Sequence, residues 1–256
     1  MVVSFDIFGV PVQSFGIFFA LNFIAWGLVL SKRFGETGRT RDWAWEVVLV
    51  ALVGGMVGAR LYWLAANPSA LSDDPIGSLF SGSGLTWFGG LAGGVLAVWA
   101  WARWRKVPAV ELLDIAGPCL ALGYAIGRIG CQISGDGDYG TASSLPWAMG
   151  YPDGTVPTPA GLTVHPAPIY ETLVMGIVAI CLWNLRGRLK PGSLFALWAV
   201  VAGTERLLIE MIRRNDEWVV GLTQPQVWSL LLIVGGLAWL VVNSRGGLKT
   251  GQPSSA

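Results

Sequence analysis

Charged residues are scarce in this chain of 256 amino acids. Asp, Glu, Lys and Arg together make up 13% of it, whereas hydrophobic residues make up 53%. Soluble domains carry roughly 25% charged residues, so the deficit excludes a water-soluble core of this size. Several apolar runs reach the ~20 residues that a bilayer-spanning helix needs. The runs are continuous rather than alternating in polarity, which argues against a β-barrel and predicts an all-α integral membrane protein.

Three other shortages exclude further classes of protein. The net charge of +1 leaves no basic surface for nucleic acid. The three cysteines are scattered and odd in number, which predicts neither a disulfide framework nor a metal cluster. A single histidine, His165, excludes a histidine-rich metal site. The first apolar run lacks a basic flank and a small-residue cleavage site, so we expect it to remain as a membrane helix.

The apolar runs predict about seven transmembrane helices in a single polytopic domain over residues 1–256. Their approximate bounds are 13–30, 45–66, 85–104, 109–130, 166–185, 193–212 and 224–242. Gly54, Gly55 and Gly58 in the second run favour close contact between helices. Gly89 and Gly90 at the start of the third run allow close approach by another backbone segment or by a ligand, and helix packing is the favoured interpretation. The fourth run is less apolar than the others, so we expect it to be packed inside the bundle.

Basic residues follow every second predicted span. Lys and Arg lie after the first, third, fifth and seventh runs, whereas stretches 67–84 and 131–165 contain none. By the positive-inside rule, the basic loops face the cytoplasm, the N-terminus lies outside and the C-terminus lies inside. Residues 131–165 are then the longest extracytoplasmic loop. Arg213 and Arg214 are exceptions on the outer side, which indicates a function for them there.

Seven charged residues lie near the outer ends of the predicted spans. They are Arg60, Arg128, Glu171, Glu205, Arg206, Glu210 and Arg213. Each would cost roughly 2.5–3.5 kcal/mol if it faced lipid, so we expect it to face the bundle interior, a water-filled cavity or another charge. Arg206, Glu210 and Arg213 follow i, i+4, i+7 spacing and should share one face of the sixth helix.

Two interpretations of these charges stay open. One is a ladder of ion pairs that fixes helix packing. The other starts from a surplus of cations over partners on the outer side. Surplus arginine in a low-dielectric cavity predicts an external anion, and guanidinium forks match phosphate in a bidentate manner.

The glycine-rich segment that follows Arg128 is a second candidate site. It is interpreted either as a plain surface turn or as a ligand loop. A cation at the membrane edge, followed by glycines that bring backbone N–H groups close to a ligand, suits an anionic lipid headgroup. Asp136 and Asp138 are candidates for a general base or for orienting Arg128. His165 precedes a proline that starts the fifth helix, and we expect Glu171 to pair with an arginine.

These motifs resemble those of the prolipoprotein diacylglyceryl transferase family of bacterial membrane enzymes. Gly127-Arg128-Ile129-Gly130 and the loop up to Gly140 are similar to the family pattern G-R-x-G-N-F-x-N-x-E-x-x-G. The segments 165–171 and 206–213 resemble H-P-x-Q-L-Y-E and R-F-x-x-E-x-x-R. Weaker matches are Gly58-Ala59-Arg60-Leu61 and the pair Gln226 and Ser229.

The resemblance implies a reaction at the outer side of the bacterial cytoplasmic (inner) membrane. A diacylglyceryl group moves from phosphatidylglycerol to the lipobox cysteine thiol of a preprolipoprotein, and glycerol phosphate is released. No cofactor, metal or nucleic acid takes part. The implied catalytic residues are Arg128, Arg206, Asp136 and His165. The implied substrate-binding residues are Arg60, Arg128, Gly130, Cys131, Gly140, Glu171, Glu210 and Arg213.

The chain also departs from the family pattern. Phe88 stands where the family has a histidine before the paired glycines, and Cys131 replaces the first signature asparagine. Because that histidine is a candidate base, the group that deprotonates the thiol stays open among Asp136, Asp138, His165 and water. The alternatives are a paralogue that is inactive or moves another lipid group, and a membrane transporter. No internal repeat of the kind found in many transporters is visible.

Overall fold

The computed structural model describes residues 2–7, 9–68, 86–213 and 215–246. Seven long helices occupy these ranges: α1 Ser14–Glu36, α2 Trp43–Ala66, α3 Trp87–Arg105, α4 Ala109–Ser134, α5 Ala167–Leu185, α6 Ser193–Glu210 and α7 Gln224–Gly246. Each covers most of one predicted apolar run, so seven helices are confirmed at the predicted places. All but α3 and α6 are long and apolar enough to cross a membrane. Most of the predicted 67–84 loop, and Arg214, lie outside the described residues.

Two short antiparallel hairpins accompany the helices and were not predicted. Strand β1 (Ser4–Ile7) pairs with β2 (Val10–Gln13), and β3 (Glu217–Val219) pairs with β4 (Leu222–Thr223). Isolated hairpins are marginally stable in water. Here each one leads directly into a helix, and the second joins a capping box at the start of α7. In that box the Thr223 N–H donates to Gln226 Oε1 at 2.9 Å.

Helix α4 is four residues longer than predicted. Its sequence contains no strong helix breaker between Gly130 and Ser134, and the helix ends at Gly135, which has a φ of +59°. The Gly135 N–H closes the last turn on the Cys131 carbonyl at 2.9 Å. Cys131, which was expected to begin the loop, therefore lies on the helix.

Helix α6 is two residues shorter than predicted. It ends at Glu210, and the next residues form a tight turn in which the Arg213 N–H donates to the Glu210 carbonyl at 3.3 Å. The expectation that Arg213 shares a helix face with Arg206 and Glu210 is therefore wrong. Arg213 lies beyond the helix, where its side chain can reach a different partner.

The chain divides into two compact units. One comprises Gly27–Leu112 and the other comprises Met1–Trp26 with Leu113–Ala256. In the Gly27–Leu112 unit, α2 and α3 pack backbone to backbone, and a methyl group on Gly58 would overlap the Gly89 carbonyl oxygen. The predicted contact between the glycine-rich helices is therefore confirmed.

In the larger unit, α6 packs closely against α7, and side chains of α4, α5 and α6 form a shared core. Its core cluster is rich in small side chains: Ala121, Ala125, Met175, Ala179, Leu182, Leu194 and Ala202. Asp114 of α4 accepts hydrogen bonds from the N–H groups of Gly192 at 2.6 Å and Leu194 at 3.0 Å. A carboxylate at this place satisfies the free donors at the start of α6. As predicted, α4 is the most buried of the apolar helices.

The segment between α4 and α5 has its own small core. The Tyr139 and Tyr151 rings stack at a centroid distance of 4.9 Å, and Val164 packs against them. The Tyr151 hydroxyl donates to Gln132 Oε1 at 2.8 Å, and burial raises the pKa of Tyr151 to about 12. This core holds the backbone of Asp138, the neighbour of Tyr139, against the end of α4.

Candidate functional site

Arg128 projects from the last two turns of α4 into a group of acidic side chains. Its Nη1 pairs with Asp138 Oδ2, and its Nε lies 3.1 Å from Glu171 Oε2. Tyr124, one turn earlier on the same helix, places its ring under the guanidinium at 5.0 Å. Arg128 is thus oriented from three sides.

Glu171 of α5 links two arginines. It is completely buried, and its Oε1 accepts the Tyr124 hydroxyl at 2.7 Å and Arg206 Nη1 at 3.3 Å. Its Oε2 faces Arg128 in the ion pair described above. The prediction that Glu171 pairs with an arginine is confirmed, and the carboxylate in fact holds Arg128 and Arg206 side by side.

Arg206 and Glu210 form the one-turn pair that their spacing predicts. Arg206 Nη2 lies 2.8 Å from Glu210 Oε2. The other Glu210 oxygen accepts hydrogen bonds from Asn215 Nδ2 and Thr223 Oγ1, both at 2.7 Å. Glu210 therefore connects the end of α6 to the β3–β4 hairpin.

Arg213 binds the Gly-Asp loop rather than α6. Its Nη2 lies 2.6 Å from Asp138 Oδ1, and its Nη1 donates to the Asp138 carbonyl at 2.5 Å. Burial by itself would raise the Asp138 pKa, but the charges of Arg128 and Arg213 outweigh it and hold this pKa below its usual value. Asp136 instead accepts the Asp138 N–H at 3.2 Å. Of the two aspartates, Asp138 is the one that orients Arg128.

The expected surplus of unpaired arginine is wrong for this cluster. Arg128, Arg206 and Arg213 are each paired with at least one of Asp138, Glu171 and Glu210. Asp138 was not counted among the charges in the spans because it arrives from the loop. A guanidinium has five N–H donors, however, so these ion pairs do not use all of its hydrogen-bonding capacity. The three side chains are 11% to 18% exposed, which leaves them partly accessible.

His165 and Gly140 join the loop to the start of α5. The Gly140 N–H donates to the His165 carbonyl at 2.8 Å, and the His165 N–H donates to the Thr141 carbonyl at 3.0 Å. A methyl group on Gly140 would lie 2.8 Å from the Ile212 carbonyl oxygen. The Gly140 N–H is thus committed to the protein. The His165 ring nitrogen Nδ1 lies 3.4 Å from the Tyr170 hydroxyl.

Gly130 and Cys131, consecutive residues near the end of α4, have different neighbours. A side chain on Gly130 would meet Phe18 of α1 at 2.9 Å, so this glycine permits helix packing. Cys131 is buried, and its Sγ lies 3.8 Å from Arg128 Nη1. Of the two, Cys131 borders the arginine cluster.

Arg60 belongs to the Gly27–Leu112 unit. It is buried, and its guanidinium stacks over the Trp63 ring at 4.5 Å. Its part in substrate binding stays a prediction.

Three ligand-type atoms next to Arg128 are close enough to hold a metal ion. The Cys131 Sγ and one oxygen each of Asp136 and Asp138 lie within 4.8 Å of one another. Asp138 is, however, already bound by Arg128 and Arg213, and these positive charges oppose a bound cation. The arginine contacts of Asp138 therefore disfavour a metal ion at these three atoms.

An open cavity adjoins the cluster. It has a volume of about 280 Å³ and is lined by Gly137, Tyr139, Arg213 and Asn215. Its size lies at the low end for small-molecule sites, roughly 300 Å³, and suits a small polar group.

Sequence reasoning missed two members of the cluster. Tyr124 carries no charge, although its position four residues before Arg128 is the spacing at which a ring can support a guanidinium. Glu205 was noted as a charge inside a span, but nothing in its spacing set it apart. In the structure it is buried, with electrostatic contacts to Glu171, Arg128 and Arg206.

Comparison with known proteins assigns the chain to a family. Residues 2–242 match the family described as prolipoprotein diacylglyceryl transferase. Three similar proteins are named phosphatidylglycerol–prolipoprotein diacylglyceryl transferase. The Dehalococcoides mccartyi protein is 31% identical over 95% of this chain and 94% of its own length. The Chlorobaculum tepidum protein is 31% identical over 93% of this chain and 88% of its own length. The Clostridium tetani protein is 27% identical over 92% of this chain and 94% of its own length. With a family match that spans nearly its whole length and relatives of this similarity, the chain belongs to the prolipoprotein diacylglyceryl transferase family.

Proposed function

We propose that this protein transfers a diacylglyceryl group from phosphatidylglycerol to the lipobox cysteine thiol of preprolipoproteins and releases glycerol phosphate. The observation that carries the proposal is the pair of guanidiniums, Arg128 and Arg206, held by the one buried carboxylate of Glu171. Two such groups side by side match the non-bridging oxygens of a phosphodiester.

Arg128 and Arg206 assist at the step in which charge develops. The thiolate sulfur attacks the glyceryl carbon, the carbon–oxygen bond to phosphate breaks, and the leaving glycerol phosphate gains negative charge. Preorganised donors at such a position typically contribute about 10²–10³ in rate each. Because Glu171 and Asp138 fix both arginines before substrate arrives, little reorganisation is needed during the reaction.

We assign roles to the remaining predicted residues from their positions relative to Arg128 and Arg206. Arg213 binds one Asp138 oxygen while Arg128 binds the other, and we assign the cavity that Arg213 lines to the polar headgroup. The arginines are held by Glu171 and Glu210, and Cys131 lies beside Arg128. Gly130 and Gly140 allow the chain to pack closely around them. Catalytic roles for Asp136 and His165 stay predictions, which variants of both test.

We place the cluster at the outer surface of the bacterial cytoplasmic membrane. All seven helices are assigned as spans, with the N-terminus outside and the C-terminus in the cytoplasm. The positive-inside pattern supports this orientation, since the loops after α1, α3 and α5 are basic and the 131–165 region is free of Lys and Arg. The 131–165 region is then extracytoplasmic and adjoins the site, within one polytopic domain.

The direct test is transfer by the purified protein. Incubation with phosphatidylglycerol and a lipobox peptide should increase the peptide mass by one diacylglyceryl unit, and Arg128→Ala and Arg206→Ala should lower the rate by more than about tenfold. Complementation of a transferase-deficient bacterium provides the matching test in cells. If the wild-type protein adds no mass to the peptide and fails to complement, the proposal is refuted.

A second candidate function is lipid binding without turnover. The observation that favours it is the pairing of all three cluster arginines with carboxylates, which is also the arrangement of a structural network. A protein of this kind would bind phosphatidylglycerol vesicles in a way that depends on Arg128 but would leave the peptide unmodified. The transfer assay separates the two functions, and transport activity in proteoliposomes would indicate a transporter.

A further inference from the structure

Glu205 stands apart from the other acidic residues of the cluster. It is 6% exposed, and neither of its carboxylate oxygens has a hydrogen-bond partner among the residues that the structure describes. Buried carboxylates are normally paired, because removing a charged group from water without compensation is costly.

The other three carboxylates are engaged. Asp138 is bound by Arg128 and Arg213, and Glu210 by Arg206, Asn215 and Thr223. Glu171 accepts the Tyr124 hydroxyl and faces two arginines, with its Oε2 in an ion pair at 3.1 Å rather than in a linear hydrogen bond. These groups already balance the three arginines, so Glu205 is not required as a counter-ion.

Glu205 nevertheless lies inside the cluster. It precedes Arg206 on α6, and its carboxylate interacts electrostatically with Glu171, Arg128 and Arg206. Tyr124 also approaches it, but the single O–H of Tyr124 points to Glu171 at 2.7 Å. The oxygens of Glu205 therefore lack a hydrogen-bond donor in the described part of the chain and lie within electrostatic range of the guanidiniums that hold the phosphate in the proposed reaction.

The proposed reaction brings a donor that fits these oxygens. The thiolate, not the thiol, is the nucleophile, and a free cysteine is mostly protonated at neutral pH, with a pKa of about 8.5. The S–H must therefore lose its proton beside the phosphate.

We propose that Glu205 is the catalytic base that deprotonates the acceptor thiol. This inference rests on the proposed function. The Glu205 carboxylate takes the proton from the cysteine S–H, the sulfur forms a thioether bond with the glyceryl carbon, and the carbon–oxygen bond to phosphate breaks. The electron pair of that bond leaves with glycerol phosphate. The proton then passes from Glu205 to the departing phosphate, whose second pKa is about 6, or to water.

The test compares wild type with Glu205→Gln, using lipobox peptides that carry either cysteine or selenocysteine under reducing conditions. A selenol is already ionised at neutral pH and needs no base. General-base removal typically costs about 10²–10⁴-fold, so Glu205→Gln should lose at least about a hundredfold in kcat with cysteine near pH 7. With selenocysteine it should regain most of the wild-type rate, and the KM for phosphatidylglycerol should change little.

A pH series on the same variant provides a second readout. Without the base, the rate with cysteine should rise about tenfold per pH unit until the thiol ionises by itself near pH 8.5. Arg128→Ala should be rescued neither by selenocysteine nor by high pH, because it lacks phosphate binding rather than a base. Glu36→Gln, an exposed carboxylate paired with Arg33, serves as the matched control and should behave as wild type.

The outcomes are distinguishable. Suppose that wild type transfers the lipid, so that the proposed function holds. Glu205 is then not the base if Glu205→Gln keeps more than about a third of the wild-type rate, or if the variant loses the same factor with cysteine as with selenocysteine. If wild type itself transfers nothing to either peptide, both proposals fail. Thermal unfolding of each purified variant identifies any loss that is due to misfolding, and Glu205→Ala, which removes the carboxylate altogether, must then show the same selenocysteine rescue.

Discussion

Replacing Glu171 by glutamine removes one negative charge from between two arginines and leaves the side-chain shape nearly unchanged. The carboxylate is completely buried, and it faces Arg128 at 3.1 Å and Arg206 at 3.3 Å. Breaking a buried ion pair by changing one partner typically costs about 3–5 kcal/mol, because the remaining charge is left uncompensated. For a chain of this size, each kcal/mol shifts the Tm by roughly 2–4 °C. We therefore expect Glu171→Gln to lower the Tm by roughly 6–20 °C.

Thermal unfolding of the detergent-purified protein, followed by tryptophan fluorescence, measures this shift. Glu36→Gln is the control, since it removes an exposed i, i+3 pair with Arg33 that contributes at most about 1 kcal/mol. Its Tm should fall by no more than about 4 °C.

An added anion makes the same experiment more specific. Removing Glu171 leaves Arg128 and Arg206 with one counter-ion fewer, so phosphatidylglycerol or inorganic phosphate should bind the variant more tightly than the wild type. Ligand that binds only the folded state stabilises it in proportion to the logarithm of ligand concentration over Kd. The Tm of Glu171→Gln should therefore rise more on addition of either ligand. A Tm loss no larger than that of Glu36→Gln, or equal protection of variant and wild type, would refute the assigned role of Glu171.

Three further predictions follow from the same contacts. Arg206→Lys should restore little of the transfer lost in Arg206→Ala, because a lysine ammonium cannot pair with two carboxylates in a fork, and the peptide mass assay measures this. Asp138→Asn should destabilise the fold by about 3 kcal/mol in thermal unfolding, the low end for a buried pair, since the Asp138 side chain is 30% exposed. The pKa of Asp138 is lower in the folded state than in the unfolded state, so the ionised side chain stabilises the fold fully above about pH 4. This stabilisation is lost as the pH falls through the pKa of the folded state. Acidification should therefore destabilise wild type more than Asp138→Asn. Gly140→Ala should loosen the 135–165 segment, because the new methyl group would lie 2.8 Å from the Ile212 carbonyl oxygen, and limited proteolysis should then cut this segment faster than in wild type.

Hydropathy predicted the helices well because it is a local property. The fifth run was expected at 166–185 and α5 is Ala167–Leu185, since a proline marks its start and basic residues follow its end. The ends of α4 and α6 were less predictable. Both are decided by short-range hydrogen bonds, at Gly135 and after Glu210, to which an average over twenty residues is insensitive.

The hairpins were missed for a different reason. Strands of two to four residues carry too little hydrophobic periodicity to be detected. The β3–β4 turn is Val220-Gly221, with φ values of +53° and +72°, and valine stands where asparagine, aspartate or glycine would have been the usual signal. The β3–β4 hairpin is stabilised by a hydrogen bond between Thr223 and Gln226 at the start of α7, rather than by a strand pattern in its own sequence.

The amino-acid sequence alone determined that this protein is built from apolar helices and that the charges inside them need partners, because the cost of a bare charge in a bilayer applies to any fold. Which partners they take was decided by the tertiary structure. Arg206 meets Glu171 from 35 residues away, and Arg213 meets Asp138 from 75 residues away. No local pattern encodes contacts of that range, since they exist only once α4, α5, α6 and the Gly-Asp loop have packed together. The same packing leaves the oxygens of Glu205 without a hydrogen-bond donor in the described part of the chain. This distinguishes Glu205 from the other carboxylates, although nothing in the neighbouring sequence does.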